Sequence, residues 1–230
     1  MKRLWRLMPA LLLAGCASTH PGSGASTDKP EDQAPHIKPE EIHADLIRQM
    51  LDNGQYYAAL AHIEDAKRGG GNDELTLLEG DARGHLGQQA QAEVLYRKLL
   101  DTRYAAQAYH GLGKLYVKTD LEGAIGNLRK AVERAPTDVD FRNDLGYALM
   151  EAGRYTDANL QLSTAAELAP SQLKSRNNLI ILMMLVGNEG AVQQLAQESG
   201  GMAPEQLKEL RNSAQLIRDK QKARAAKAAG

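Results

Sequence analysis

Small and apolar residues return along this chain at intervals longer than any single helix. From Ala108 to Pro136 the marked positions are Leu112-Gly113, Ala124, Ala131 and Pro136. From Phe141 to Pro170 they are Leu145-Gly146, Ala158, Ala165 and Pro170. The last three pairs are 34 residues apart. The first is 33 apart, because the turn around Thr119-Asp120 has one residue fewer than the turn Ala152-Gly153-Arg154. Each stretch suits two helices joined by a tight turn. Glycine costs a helix interior about 1 kcal/mol, so Gly113 and Gly146, recurring in one phase, predict a close crossing of two backbones. Ala124 and Ala158 answer them from the second helix. Pro136 and Pro170 stop that helix and set the entry to the next unit.

The same spacing extends in both directions. Gly80 precedes Gly113 by 33 residues, and Ala92 precedes Ala124 by 32. Helices are predicted near Asp73–Leu86 and Gln89–Asp101. Gly54 precedes Gly87 by 33 and Ala59 precedes Ala92 by 33, predicting helices near Pro39–Asn53 and Tyr56–Lys67. The glycine run Gly69 to Gly71 separates these units. No GK[ST] follows it, so it reads as a turn and not as a phosphate loop. Downstream, Leu173 to Val186 predicts a further first helix, with Ile180 at the position where a small residue is expected and Gly187 at the turn. Its partner, Gly190 to Glu198, is short and ends at Gly200-Gly201. Pro204 then opens a last helix, Glu205 to about Ala226, a permitted place for proline. Leu207, Leu210, Ala214 and Ile217 give it one apolar stripe. The basic, alanine-rich tail from Lys220 is expected to fray, with contact to anionic headgroups as the alternative.

This pattern resembles the tetratricopeptide repeat, a helix–turn–helix unit of 34 residues. The resemblance implies an all-α tetratricopeptide-repeat superhelix, an α-solenoid, closed by a C-terminal capping helix. The array covers 39–226, with units near 39–68, 73–103, 106–136, 139–170 and 173–199 and the cap at 204–226. Such an array is held by nearest-neighbour stacking, and its ends need atypical polar caps.

The N-terminus follows a different pattern. Lys2, Arg3 and Arg6 precede an apolar stretch from Leu7 to Ala14. A basic start, a short apolar core and small residues before a cut site make an export signal, too short for a membrane span. Leu13, Ala14, Gly15 and Cys16 resemble the lipobox of bacterial lipoproteins. By that resemblance residues 1–15 are removed and Cys16 is acylated on its thiol and its new amine. Two or more acyl chains anchor stably where one does not. Cys16 is the only cysteine, so it has no disulfide partner, and lipidation accounts for it. Ala17, not Asp, follows it. Under the enterobacterial sorting rule that departs from inner-membrane retention and implies the outer membrane, periplasmic face. Residues 16–38, rich in Ser, Thr, Gly and Pro, bury too little to offset ordering. They are expected to form a flexible tether with roughly 25 Å of reach.

Composition narrows the function. The signal carries three of the 28 basic residues and none of the 29 acidic ones, which leaves the mature chain at a formal −4. Nucleic acid is therefore not an expected partner, since such proteins carry a basic footprint. No HExxH, GxSxG or paired cysteines occur, and the histidines are spread about one per helix. Neither enzyme activity, a metal, a cofactor nor a small-molecule substrate is expected.

A solenoid instead offers the face lined by its first helices to a peptide or a partner helix. Counted from Leu112-Gly113, that face should hold Gln107, His110, Lys114, Val117 and Lys118. The next unit supplies Asp140, Asn143, Tyr147, Met150 and Glu151. The one after supplies Lys174, Asn177, Ile181, Met184 and Leu185. The early part is basic and the late part apolar. Ile181, Met184 and Leu185 form either an interaction patch or the surface that the C-terminal helix covers. In the second case the groove is the Lys114–Tyr147 region.

The phrases RNDLGYALMEAGRYTDA, from Arg142 to Ala158, and RNNLIILMMLVG, from Arg176 to Gly187, are similar to the tetratricopeptide-repeat lipoprotein of the Flp/Tad pilus assembly system, the TadD family. The resemblance implies a pilotin-like factor that helps an outer-membrane secretin or another pilus-assembly component to localise or assemble. Two alternatives stand beside it. One is a pilotin or assembly lipoprotein of a type IVa pilus system; the other is a general periplasmic scaffold for cell-envelope complexes.

Overall fold

The structure, a computed structural model, describes residues 39–198 and 200–229. Cys16, the lipobox residues Leu13, Ala14 and Gly15, the signal 1–15 and the tether 16–38 lie outside the described residues. Among the described residues all regular structure is helical. It forms five antiparallel pairs: α1 (Pro39–Asp52) with α2 (Tyr56–Arg68), α3 (Asp73–His85) with α4 (Gln89–Lys98), α5 (Ala105–Tyr116) with α6 (Leu121–Arg134), α7 (Val139–Glu151) with α8 (Tyr155–Leu168), and α9 (Leu173–Leu185) with α10 (Glu189–Glu198). A long helix, α11 (Pro204–Ala229), follows. The first helix of each pair is called A and the second B.

The turns explain the spacing in the sequence. Four A-to-B turns carry a glycine in the left-handed region, Gly54, Gly87, Gly153 and Gly187, all with φ between 73 and 75°. In each turn the residue after the glycine donates its N–H to the carbonyl five residues back: Gln55 to Met50, Gln88 to Arg83, Arg154 to Leu149 and Asn188 to Met183. This is the Schellman closure, which satisfies the last carbonyls of helix A and favours glycine. The α5–α6 turn does without it. There Asp120 caps α6 by accepting from the Gly123 N–H at 2.9 Å, and the turn is one residue shorter.

Gly113 and Gly146 are glycines because of what faces them. A Cβ on Gly113 would lie 2.6 Å from Leu128 Cγ, and one on Gly146 would lie 2.6 Å from Leu162 Cγ. Leu128 and Leu162 are fully buried B-helix residues. The glycine lets each leucine seat against the A-helix backbone. Tyr96 uses two such openings, lying between Gly80 and Gly111, where a Cβ would meet its ring at 2.8 and 2.4 Å. The core is correspondingly divided. One cluster joins α1, α2 and α3, a second joins α3, α4 and α5, and the third runs from α6 to α11.

The C-terminal helix differs from the sequence expectation. The tail beyond Lys220 is helical to Ala229, and instead of fraying it is bound at Lys220, Gln221 and Arg224 to the end of α7. Helix α11 packs on α9 and α7, both A helices, and so covers the A-helix face of the last two units.

Candidate protein-docking face

The A-helix face is divided into a covered part and an open part. In the covered part Met150, Ile181 and Met184 are 0, 4 and 6 % exposed. They belong to one apolar cluster with Ala214 and Ile217 of α11, and Leu185 packs against that cluster. The reading of these residues as open groove is therefore corrected: α11 takes the apolar stretch of α9 as its seat. Asn177 is half-buried beside α11 and lines a pocket with Leu173, Met202 and Leu210. Tyr147 is also half-buried.

A polar strip separates the two parts. Asn143 is buried; its Oδ1 accepts from Asn178 Nδ2 at 2.9 Å and its Nδ2 donates to Asp144 Oδ1. His110 Nε2 lies 2.8 Å from Asp144 Oδ2, and the His110 ring packs on Phe141 with centroids 4.5 Å apart. Lys174 Nζ donates to Asp144 Oδ1 at 2.8 Å. Burial pushes the Asp144 carboxyl up, but the hydrogen bonds and charges of His110 and Lys174 outweigh it and hold the group well below the usual carboxylate range. His110 and Asn143 are thus committed to contacts between units. Asp144 was missed by groove phase alone, although His110 and Asp144 are 34 residues apart, one repeat length.

The open part faces α3 and α5. Gln107, Lys114 and Lys118 are exposed. Among the described residues neither lysine has a hydrogen bond or ion pair. Beside Lys114 is a pocket of about 130 Å³ lined by Asp81, Gly84, His85, Tyr96, Gly111 and Leu115. The glycine opening at Gly111 makes it, because Tyr96 comes through from α4 and donates its hydroxyl to Asp81 Oδ1 at 2.7 Å. Burial pushes the Asp81 carboxyl up, against that hydrogen bond and the charge of Lys114. His85 stacks on Tyr56, centroids 4.6 Å apart, and burial together with the charge of Lys114 lowers its pKa against the opposing pull of Asp81. Sequence reasoning did not single out Asp81. Its signal was the phase it shares with Lys114, one unit earlier.

Among the described residues no group of three or more His, Cys, Asp or Glu is placed to hold a metal, and no helix is long and apolar enough to cross a membrane. The arrangement is that of a binding face: unpaired cations, a small polar pocket and a covered apolar end.

Paired helices, Schellman turns, the small-residue crossings and the A-helix face together define a tetratricopeptide-repeat solenoid, a class of protein-binding modules. Residues 118–176 match the family described as Tetratricopeptide repeat. Over 163 residues, 68% of the chain, the sequence is 36% identical to a TPR repeat-containing protein of Pseudomonas aeruginosa, and the match covers 61% of that relative's length. Similar solved structures are a thermophilic TPR protein in Thermus thermophilus (21% identity, TM-score 0.62, 77% of this chain and 98% of that one) and MamA from Desulfovibrio magneticus (20% identity, TM-score 0.53, 76% and 96%). At these identities the two structures show the fold alone.

Proposed function

We propose that this chain is an outer-membrane lipoprotein, anchored through Cys16 and facing the periplasm. In this reading it holds a protein partner on the open A-helix face and serves as a pilotin-like assembly factor of the Flp/Tad pilus secretion apparatus, with the secretin as the partner. The observation that carries the binding role is the open part of the face, where Lys114 and Lys118 are in no ion pair and Lys114 stands at the Asp81–His85 pocket. A lysine held in no hydrogen bond or ion pair is available to an incoming carboxylate. The anchoring rests on the Leu13-Ala14-Gly15-Cys16 motif, and the pathway rests on the resemblance of Arg142–Ala158 and Arg176–Gly187 to the TadD family.

Replacing Cys16 by Ser removes the acylation site. The expected result is protein in the soluble periplasmic fraction, with fewer secretin multimers and fewer surface pili. Normal multimers and pili made with the soluble protein would contradict the pilotin reading.

A further inference from the structure

Glu151 closes α7 on the A-helix face and is 2 % exposed. The cations that hold its carboxylate, Lys220 and Arg224, both come from α11. Arg224 Nη1 also donates to the Glu151 carbonyl at 2.9 Å, and Gln221 Nε2 donates to the Met150 carbonyl at 2.9 Å. Gln221 Oε1 accepts from the Tyr155 hydroxyl. Six residues before Arg224, Arg218 Nη2 donates to the Met184 carbonyl of α9 at 2.6 Å. Helix α11 therefore places one basic side chain at the carbonyl end of each A helix it crosses, where a cation is favoured. Six residues rise about 9 Å along a helix, which matches the roughly 8–10 Å between packed helix axes. The apolar part of the contact is one stripe: Ala214 and Ile217 are buried, Leu207 and Leu210 are half-buried against the same core, and Leu216, off the stripe, is 55 % exposed. Gly200 and Gly201, both with positive φ, join α11 to α10.

A helix bound by a basic pattern read at two A-helix ends, through a short glycine joint, sits as a ligand sits. We propose that the face of α7 and α9 is a docking site for a basic amphipathic helix, that α11 occupies it in cis, and that a partner helix of the same pattern displaces α11. The pattern is apolar at the spacing of Leu207, Leu210, Ala214 and Ile217, with cations at the places of Arg218 and Arg224. The proposal rests on the reading that the A-helix face binds protein, and adds a second site to the open part near Lys114. Release of α11 would uncover Met150, Ile181 and Met184 together with the Glu151 carboxylate, an apolar patch with one fixed anionic anchor.

The probe is a labelled peptide of residues 204–229, and the target is the full chain in detergent. Ile217→Asp with Arg224→Glu, made in the chain and not in the peptide, should free the face. The opened chain is expected to bind the peptide at least about tenfold more tightly than the wild-type chain, whose apparent affinity is reduced by its small open fraction. Adding Glu151→Arg should abolish that gain, and a peptide carrying Lys220→Glu and Arg224→Glu should restore it. No binding to an opened chain of unchanged helicity overturns the proposal. Should the double variant misfold, amide exchange on the wild-type chain decides. Amides of α11 exchanging at least about tenfold faster than those of α7 and α9 support a separable helix, and equal rates overturn it. Lys114 and Lys118 lie outside this site, so partner binding lost on reversing their charge is read independently of either outcome.

Discussion

A glycine in a helix has opposite consequences at two places in this fold. At Gly146 the missing side chain is the seat of Leu162, with the Ala158 carbonyl 3.4 Å from where a Cβ would stand. Overpacking such a contact costs typically 1–3 kcal/mol, so Gly146→Leu is expected to lower the unfolding midpoint. Gly126, in α6, has nothing within 4 Å of an added Cβ, and Gly126→Ala should raise stability by up to about 1 kcal/mol. Denaturant melts of the two variants check the signs, and unchanged stability in Gly146→Leu would refute the helix crossing. Asp144 makes a prediction in pH. Its folded pKa lies below its unfolded one, so its stabilisation is complete above the ordinary carboxylate value near 4 and is lost as pH falls toward the lower folded value. Asp144→Asn removes that contribution. Its deficit in melting temperature at pH 6 should shrink as the pH is taken below about 4, and a constant deficit would mean that the His110–Asp144–Lys174 contacts carry none of it.

At the scale of the element, the A-to-B turns are independent copies of one device. Gly187 has φ of 74° and no atom within 4 Å of an added Cβ, so Gly187→Ala isolates the backbone effect. The left-handed conformation costs a residue with a Cβ roughly 1–2 kcal/mol, and a stability loss of about 1 kcal/mol in the denaturant midpoint is expected. These turns were legible because glycine leaves a mark in the sequence wherever φ must be positive, and Asp120 was legible as the exception because its turn is a residue short. The seat of α11 was not legible. Its stripe of Leu207, Leu210, Ala214 and Ile217 shows that it has an apolar face but not which surface that face covers. The answer lies in pairs such as Arg224–Glu151, 73 residues apart, and a helical period carries no information about contacts at that distance. The apolar run of α9 read equally well as an exposed patch or as a seat until α11 was placed on it.

At the scale of the whole molecule the A-helix face has two regimes. Toward α3 and α5 it is open and charged, with Gln107, Lys114 and Lys118 exposed. Toward α7 and α9 it is apolar and filled by the chain's own last helix. Of the groove residues inferred from repeat phase, Gln107, Lys114 and Lys118 stay exposed, while Met150, Ile181 and Met184 are buried in the cluster that includes α11. The division follows from composition: the late units supply the methionines and isoleucine that an amphipathic helix needs, and the α5–α6 unit supplies Lys114 and Lys118, which are in no ion pair. In the proposed function the open part of this face, and not the outer B-helix surface, contacts the partner. A photo-crosslinking residue placed at Gln107 in the full chain, compared with one at Leu160, which is 63 % exposed on B helix α8, distinguishes the two surfaces. A crosslink to the proposed secretin partner is expected from position 107, and it should be lost when Lys114→Glu and Lys118→Glu are added to the folded chain. A crosslink from position 160 with none from 107 would contradict it.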